Sequence, residues 1–237
     1  MNPLRQIKLT IPDLAVGLQE TMLVLRHGRK DEEEGAYGEL RRELYRFMSR
    51  ALSERELDFE LEVQAGAMAC TLQSKRFYHH EGYVYRVCYL TEDIPSIFKN
   101  GQAKTIDMAV TQIAAWAAGK AWATAPKGVR LLYHRISDDP TAENPIIESK
   151  QISFDLFDPT AIEEHISQRL KAIADHWDIA DAELPACTDE ERFALKTDPH
   201  SKCRASCRVR DFCQQYAAVR ANGSSQLERA KATLAGI

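Results

Sequence analysis

Apolar residues three and four positions apart open the chain. Leu14, Leu18, Met22 and Leu25 fall on one helical face and Pro12 suits a first turn, which predicts a helix over 11–28. An acidic run at 31–34 followed by Gly35 reads as a solvated loop. A second helix is predicted over 37–53, with Leu40, Leu44, Phe47, Met48 and Leu52 inward and Arg41, Arg42, Arg46 and Arg50 outward. The period then drops to two. Leu57, Phe59, Leu61 and Val63 alternate with Asp58, Glu60 and Glu62, the signature of a half-buried strand that sets Glu60 and Glu62 together toward solvent. Residues 68–72 read as the next strand, His79-His80-Glu81-Gly82 as a turn, and 83–90 as a strand rich in β-formers. An Ala-rich helix over 105–124 carries Trp116 and Trp122, read as core aromatics, and stops at Pro126-Lys127-Gly128. Strands over 129–136 and 146–154 follow. A helix over 159–178 has Asp158 as its cap, Pro159 in its first turn, and Ile162, Ile166, Leu170 and Ile173 along one face.

The order ααβββαββα predicts an α/β fold over 1–183, a mixed sheet flanked by helices. A cysteine-rich module over 184–216 and a partly helical tail over 217–237 complete the expected organisation. At 237 residues, the chain can bury one full core and carry a small appendix. A formal net charge of −4 argues against a basic wrapper, so any nucleic-acid contact must come from a local basic patch. No apolar h-region follows Met1 and no run of 18 apolar residues exists. The expectation is therefore a cytoplasmic protein with neither signal peptide nor membrane span. In that reducing setting clustered cysteines point to metal or redox chemistry more than to disulfides.

Four of the six cysteines are clustered: Cys187, Cys203, Cys207 and Cys213, spaced C-x15-C-x3-C-x5-C. Thiolates are soft ligands that suit tetrahedral zinc or the iron of an iron–sulfur cluster. One loop can supply three of them while the distant fourth closes the site. Cys70 and Cys88 fall in predicted strands and read as core residues, and His200 reads as a surface loop histidine. Between 196 and 220, Lys196, Lys202, Arg204, Arg208, Arg210 and Arg220 outnumber Asp198 and Asp211. Such a basic face can neutralise phosphates, or offset the charge of the thiolates. A second candidate patch is His79-His80 beside Phe77, Tyr78, Tyr83 and Tyr85, with Lys75 and Arg76 leading into it. Single-strand binders use such mixtures of base and ring. No Walker A loop, G-x-S-x-G elbow or H-E-x-x-H motif is present.

Three segments carry a family resemblance. They are Lys202-Cys203…Cys207…Arg210-Asp211-Phe212-Cys213, the stretch from Leu184-Pro185-Ala186-Cys187 to Arg192-Phe193, and Gln112-Ile113-Ala114-Ala115-Trp116 on the Ala-rich helix. Together with the element order they resemble the RecB-like branch of the PD-(D/E)XK nuclease superfamily. The nearest flavours are phage and CRISPR-adaptation exonucleases that end in an iron–sulfur cluster. The resemblance implies a restriction-endonuclease-like fold and a [4Fe-4S] cluster on Cys187, Cys203, Cys207 and Cys213, with zinc as the alternative. It also implies DNA as the partner, within a processing or defence complex, with Gln112 on the motif helix; Lys75 and Arg76 at the hairpin edge and Lys202, Arg204, Arg208 and Arg210 in the basic segment are the further candidate contacts. Active members hold Mg²⁺ or Mn²⁺ on an Asp at one strand end and a (D/E)-x-K on the next. The corresponding stretches here read Cys70-Thr71-Leu72-Gln73-Ser74-Lys75 and Val87-Cys88-Tyr89-Leu90-Thr91-Glu92, without those acids in place. Glu148-Ser149-Lys150 spells E-x-K, but beyond the Gln helix and so out of order. Three residues separate Cys203 from Cys207 where the family usually has two. The expectation is a nuclease-derived DNA-binding or accessory component. An active metal-dependent DNA exonuclease and a protein-interaction adaptor with a structural zinc site are the alternatives.

Overall fold

The computed structural model describes residues 5–28, 36–51, 56–66, 68–74, 76–91, 93–137, 139, 141–188, 207, 209 and 212–217. Lys75, Lys202, Cys203, Arg204, Arg208 and Arg210 lie outside the described residues, as do the acidic run at 31–34 and the tail beyond 217. The chain divides into two compact units, one formed by Met1–Ala15 with Glu33–Ala174 and the other by Val16–Glu32 with Asp175–Ile237. Among the described residues no helix is long and apolar enough to cross a membrane.

The first unit is α/β, with two mixed sheets and flanking helices. Strand β1 (Arg5–Thr10) runs parallel to β3 (Met68–Gln73), which pairs antiparallel with β2 (Glu60–Ala65). The second sheet has the order β4 (Phe77–His80), β5 (Tyr83–Leu90), β6 (Gly128–Ile136), β7 (Ile146–Phe154). Its outer pairs are antiparallel and its central pair, β5 with β6, is parallel. Parallel neighbours need a crossover, and the long helix between them supplies it.

In chain order the helices are α1 (Leu18–His27), α2 (Ala36–Ala51), α3 (Pro95–Phe98), α4 (Thr105–Trp122) and α5 (Pro159–Asp175). Helix α4 is that crossover. Its small side chains allow close approach, and Val110–Ala115, Ala117 and Ala118 are all buried. One face of the second sheet buries Cys88, Leu90, Leu131, Tyr133 and Ile152 with Ile97 and Phe98 of α3. The other buries Tyr78, Val87, Tyr89 and Ile136 with Leu44 of α2. Burial at this scale is the main favourable term in folding. Helix α5 presents Ile162, Ile166, Leu170 and Ile173 inward, and the Asp158 carboxylate accepts the Thr160 N–H at 2.9 Å as its cap.

Four expectations are corrected. The predicted helix over 11–28 is a 3-10 turn over Ile11–Leu14 and then α1 from Leu18. The turn is pinned because the buried Asp13 carboxylate accepts from the Thr10 N–H at 2.8 Å and its hydroxyl at 2.7 Å. His79 and His80 are not in a turn. They pair with Val84 and Tyr83 in β4, and the reversal falls on Glu81 and Gly82, both at positive φ (52° and 86°). That combination suits the twist of a two-residue hairpin. Phe47 is 67% exposed, because the buried packing of α2 on the sheet rests on Leu44 and Phe47 lies beyond it. Trp122 is 43% exposed at the last turn of α4, with its ring 5.1 Å from that of His79, and Trp116 is only half-buried.

The second unit contains α1, a 3-10 turn over Asp181–Glu183, and the described part of the cysteine segment.

Candidate metal centre

Cys187 follows the 3-10 turn in extended chain, after the buried Leu184. Gln215 grips its backbone from both sides. The Cys187 N–H donates to Gln215 Oε1 at 3.2 Å, and Gln215 Nε2 donates back to the Cys187 carbonyl at 3.4 Å. Cys213 leads a short helical stretch, its carbonyl accepting the Ala217 N–H at 3.0 Å. Both thiols point at one atom. Cys187 Sγ lies 3.4 Å and Cys213 Sγ 3.6 Å from Oε1 of Gln19, in the first turn of α1 and only 4% exposed. Two cysteines far apart in sequence thus converge on one buried amide. Cys207 is half-buried, and Cys203 lies outside the described residues. Two converging thiols are soft-metal donor chemistry, although among the described residues no group of three or more His, Cys, Asp or Glu side chains is placed to hold a metal ion.

The residue before Cys213 is anchored too. The Phe212 ring stacks on the His27 imidazole at 4.5 Å and 13°. His27 Nε2 lies 2.5 Å from Asp181 Oδ2, and Arg26 pairs with the other Asp181 oxygen while donating to the carbonyls of His176 and Trp177 at 3.0 Å each. His27 and then Arg26 hold the Asp181 carboxyl below the usual carboxylate range.

In the first unit both strand cysteines are buried. Burial pushes the Cys70 thiol of β3 up to about 12, and burial, reinforced by Asp107, does the same to Cys88 of β5. Gln73 ends β3 with its amide on Glu60 at 2.7 Å. The Glu148-Ser149-Lys150 triplet lies on β7. Glu148 pairs with Arg135 at 3.3 Å, and the Ser149 hydroxyl meets Nδ1 of His134 at 2.7 Å. A network that pattern reading did not find sits beside Cys88. Asp107, in the first turn of α4, has Arg86 Nε 3.4 Å from Oδ1 and accepts the Tyr133 hydroxyl at 3.0 Å on Oδ2. The Tyr133 oxygen in turn accepts the Lys104 N–H at 3.1 Å.

No family model and no curated protein matches the chain. Among solved structures it is similar to SSO0001, at 11% identity and a TM-score of 0.40 over 69% of this chain and 75% of that one. A likeness at that level carries no argument.

The remaining expected nucleic-acid residues have diverse settings. Gln112 is 1% exposed and spent on the backbone. Its Nε2 donates to the Asp155 carbonyl at 2.7 Å and its Oε1 accepts the Phe157 N–H at 3.0 Å, clamping the chain between β7 and α5. Arg76 is exposed, with its guanidinium 5.1 Å from the Tyr45 ring centre. Along the same sheet face Arg130 stacks 3.7 Å over Tyr83 and hydrogen-bonds the Tyr85 hydroxyl, with His80 tilted 6.4 Å from the Tyr85 ring. Gln19, Asp107, Arg86 and Arg130 carry no linear motif. Their partners come from elements distant in sequence, so no spacing rule could have found them.

Proposed function

We propose that this protein is a DNA-binding or accessory component of nucleic-acid processing, descended from an iron–sulfur RecB-like nuclease and no longer cutting DNA. The observation that carries this reading is that Gln73, with its amide on Glu60, and the buried Cys88 occupy the strand positions at which the resembled nucleases keep their acids. In those nucleases the acids at the strand ends hold a hard divalent ion. Here the positive charge beside the Asp107 carboxylate comes from a guanidinium, and the neighbouring Cys88 is a neutral thiol, a poor ligand for Mg²⁺ or Mn²⁺. Phosphodiester hydrolysis in this superfamily needs that ion to activate water and stabilise the leaving oxygen.

Binding survives the loss of such a site, because it rests on cations and rings. Arg76, Arg130, Tyr83, Tyr85 and His80 form the mixture on which single-stranded bases stack. The basic segment with Lys202, Arg204, Arg208 and Arg210 supplies phosphate contacts. Cys187, Cys203, Cys207 and Cys213 hold a [4Fe-4S] cluster, or zinc in its place, which folds the segment that carries those cations. The reading sets the protein in the cytoplasm, beside other proteins of a processing or defence complex. Filter retention of single- and double-stranded DNA over a salt series tests it. Retention that falls steeply with salt supports it, and no retention at low salt overturns it.

A further inference from the structure

We propose that Gln19 is a positioning residue of the cysteine site, whose amide faces both sulfurs and would present its N–H₂ edge to them where they serve as thiolate ligands of a soft metal or cluster. This inference rests on the metal reading above. The geometry behind it is the convergence of Cys187 Sγ and Cys213 Sγ, at 3.4 and 3.6 Å, on the single oxygen Oε1. In that arrangement the S–H groups donate and the carbonyl accepts. As ligands, Cys187 and Cys213 would give up their thiol protons to solvent, and their sulfurs would then be acceptors. A carbonyl oxygen left facing two thiolates would lose both hydrogen bonds and oppose their charge, and Gln19 is too buried for water to make up the loss. The cure lies in the side chain itself. The terminal torsion of Gln is broad and roughly two-fold, and the opposite edge of the amide carries two N–H donors for two sulfurs. The acceptor roles of the sulfurs and the donor number of the amide match only with glutamine or asparagine here, and asparagine is one methylene shorter. Hydrogen bonds to ligand sulfurs orient them and withdraw electron density, which raises a cluster's reduction potential.

The test uses the full chain, purified anaerobically, as wild type and as the variants Gln19→Glu and Gln19→Met. Glu keeps the size and the acceptor oxygens but cannot donate when ionised, and Met keeps the length and offers no hydrogen bond. Iron, sulfide and zinc content, chelator competition, the sulfur-to-metal absorption band and the reduction potential are read, with circular dichroism as the control for folding. The expected result is metal held about 10–100-fold more weakly in both variants, the usual effect of removing a hydrogen-bond partner from a metal ligand, with a shifted band and a lower potential wherever a cluster remains. If Gln19→Met does not fold, Gln19→Glu decides. Wild-type affinity, band and potential in a folded variant overturn the role of Gln19 alone. A wild-type chain that takes up neither iron nor zinc overturns the metal reading, and the role of Gln19 falls with it.

Discussion

At the residue scale, removing one side of a buried polar contact is the informative change. Arg86 and Asp107 face each other at 3.4 Å with Tyr133 on the second carboxylate oxygen. Breaking a fully buried pair costs about 3–5 kcal/mol, because the partner stays charged and unpaired. The Arg86 side chain is 26% exposed, so Arg86→Ala is expected to cost less, about 2 kcal/mol in a urea unfolding series. Replacing both partners, as Arg86→Met with Asp107→Leu, should recover most of that loss. A double variant as unstable as the single would show that the pair itself stabilises the fold. Gln112→Ala is expected to lower stability by about 2 kcal/mol, since it strands the Asp155 carbonyl and the Phe157 N–H. An unchanged unfolding midpoint would contradict the clamp. Cysteine spacing led to the expectation of a soft-metal site, and two of its four cysteines, Cys187 and Cys213, lie side by side on one amide. The amide on which two of those cysteines converge was not legible, because Gln19 reaches them from a helix far upstream and has no periodic signature.

At the element scale, long periodic segments were the readable ones. Helix α5 and strands β5 to β7 fall where the spacing of Ile162, Ile166, Leu170 and Ile173 and the β-formers of 83–90 put them. Strand β1 escaped because Ile7 and Leu9 are its only inward apolar pair, too short a pattern to register against the run that follows. Strand β4 escaped because its two histidines look like turn residues, yet their pairing with Tyr83 and Val84 is set by the reversal at Glu81 and Gly82. The packing of the end of α1 on the cysteine segment sets a pH dependence. Asp181 is held below its ordinary pKa in the folded chain, so it contributes stability above the unfolded carboxylate value of about 3.9, lost as pH falls through the lower folded value. Thermal unfolding of wild type and Asp181→Asn between pH 6 and pH 2 is the check. The wild type should be the more stable at pH 6, with the gap closing below about pH 4. A gap that is constant over that range would contradict the linkage.

At the scale of the whole molecule, an acidic chain with a net charge of −4 can bind DNA only through local patches, so its affinity should be strongly salt-dependent. Replacing Lys202, Arg204, Arg208 and Arg210 by Ala should flatten the salt dependence by a slope of roughly 0.7 to 0.9 for each phosphate that the variant no longer neutralises. An unchanged slope would move the interface elsewhere. The sequence of the cysteine segment is polar and basic, so on the proposed metal reading its folding is expected to depend on metal binding. Cys203→Ser and Cys207→Ser should each release the metal and make 184–216 sensitive to protease, while Cys70→Ser, in the core of β3, should leave metal content unchanged. Full metal content in both of the first two variants would undo the assignment. The most direct test of the central claim is a cleavage assay on end-labelled single- and double-stranded DNA with Mg²⁺ or Mn²⁺, under conditions where the protein retains the DNA. The prediction is retained DNA of unchanged length. Metal-dependent shortening of the strands, abolished by Asp107→Ala or Glu148→Ala, would contradict it and make the protein a nuclease.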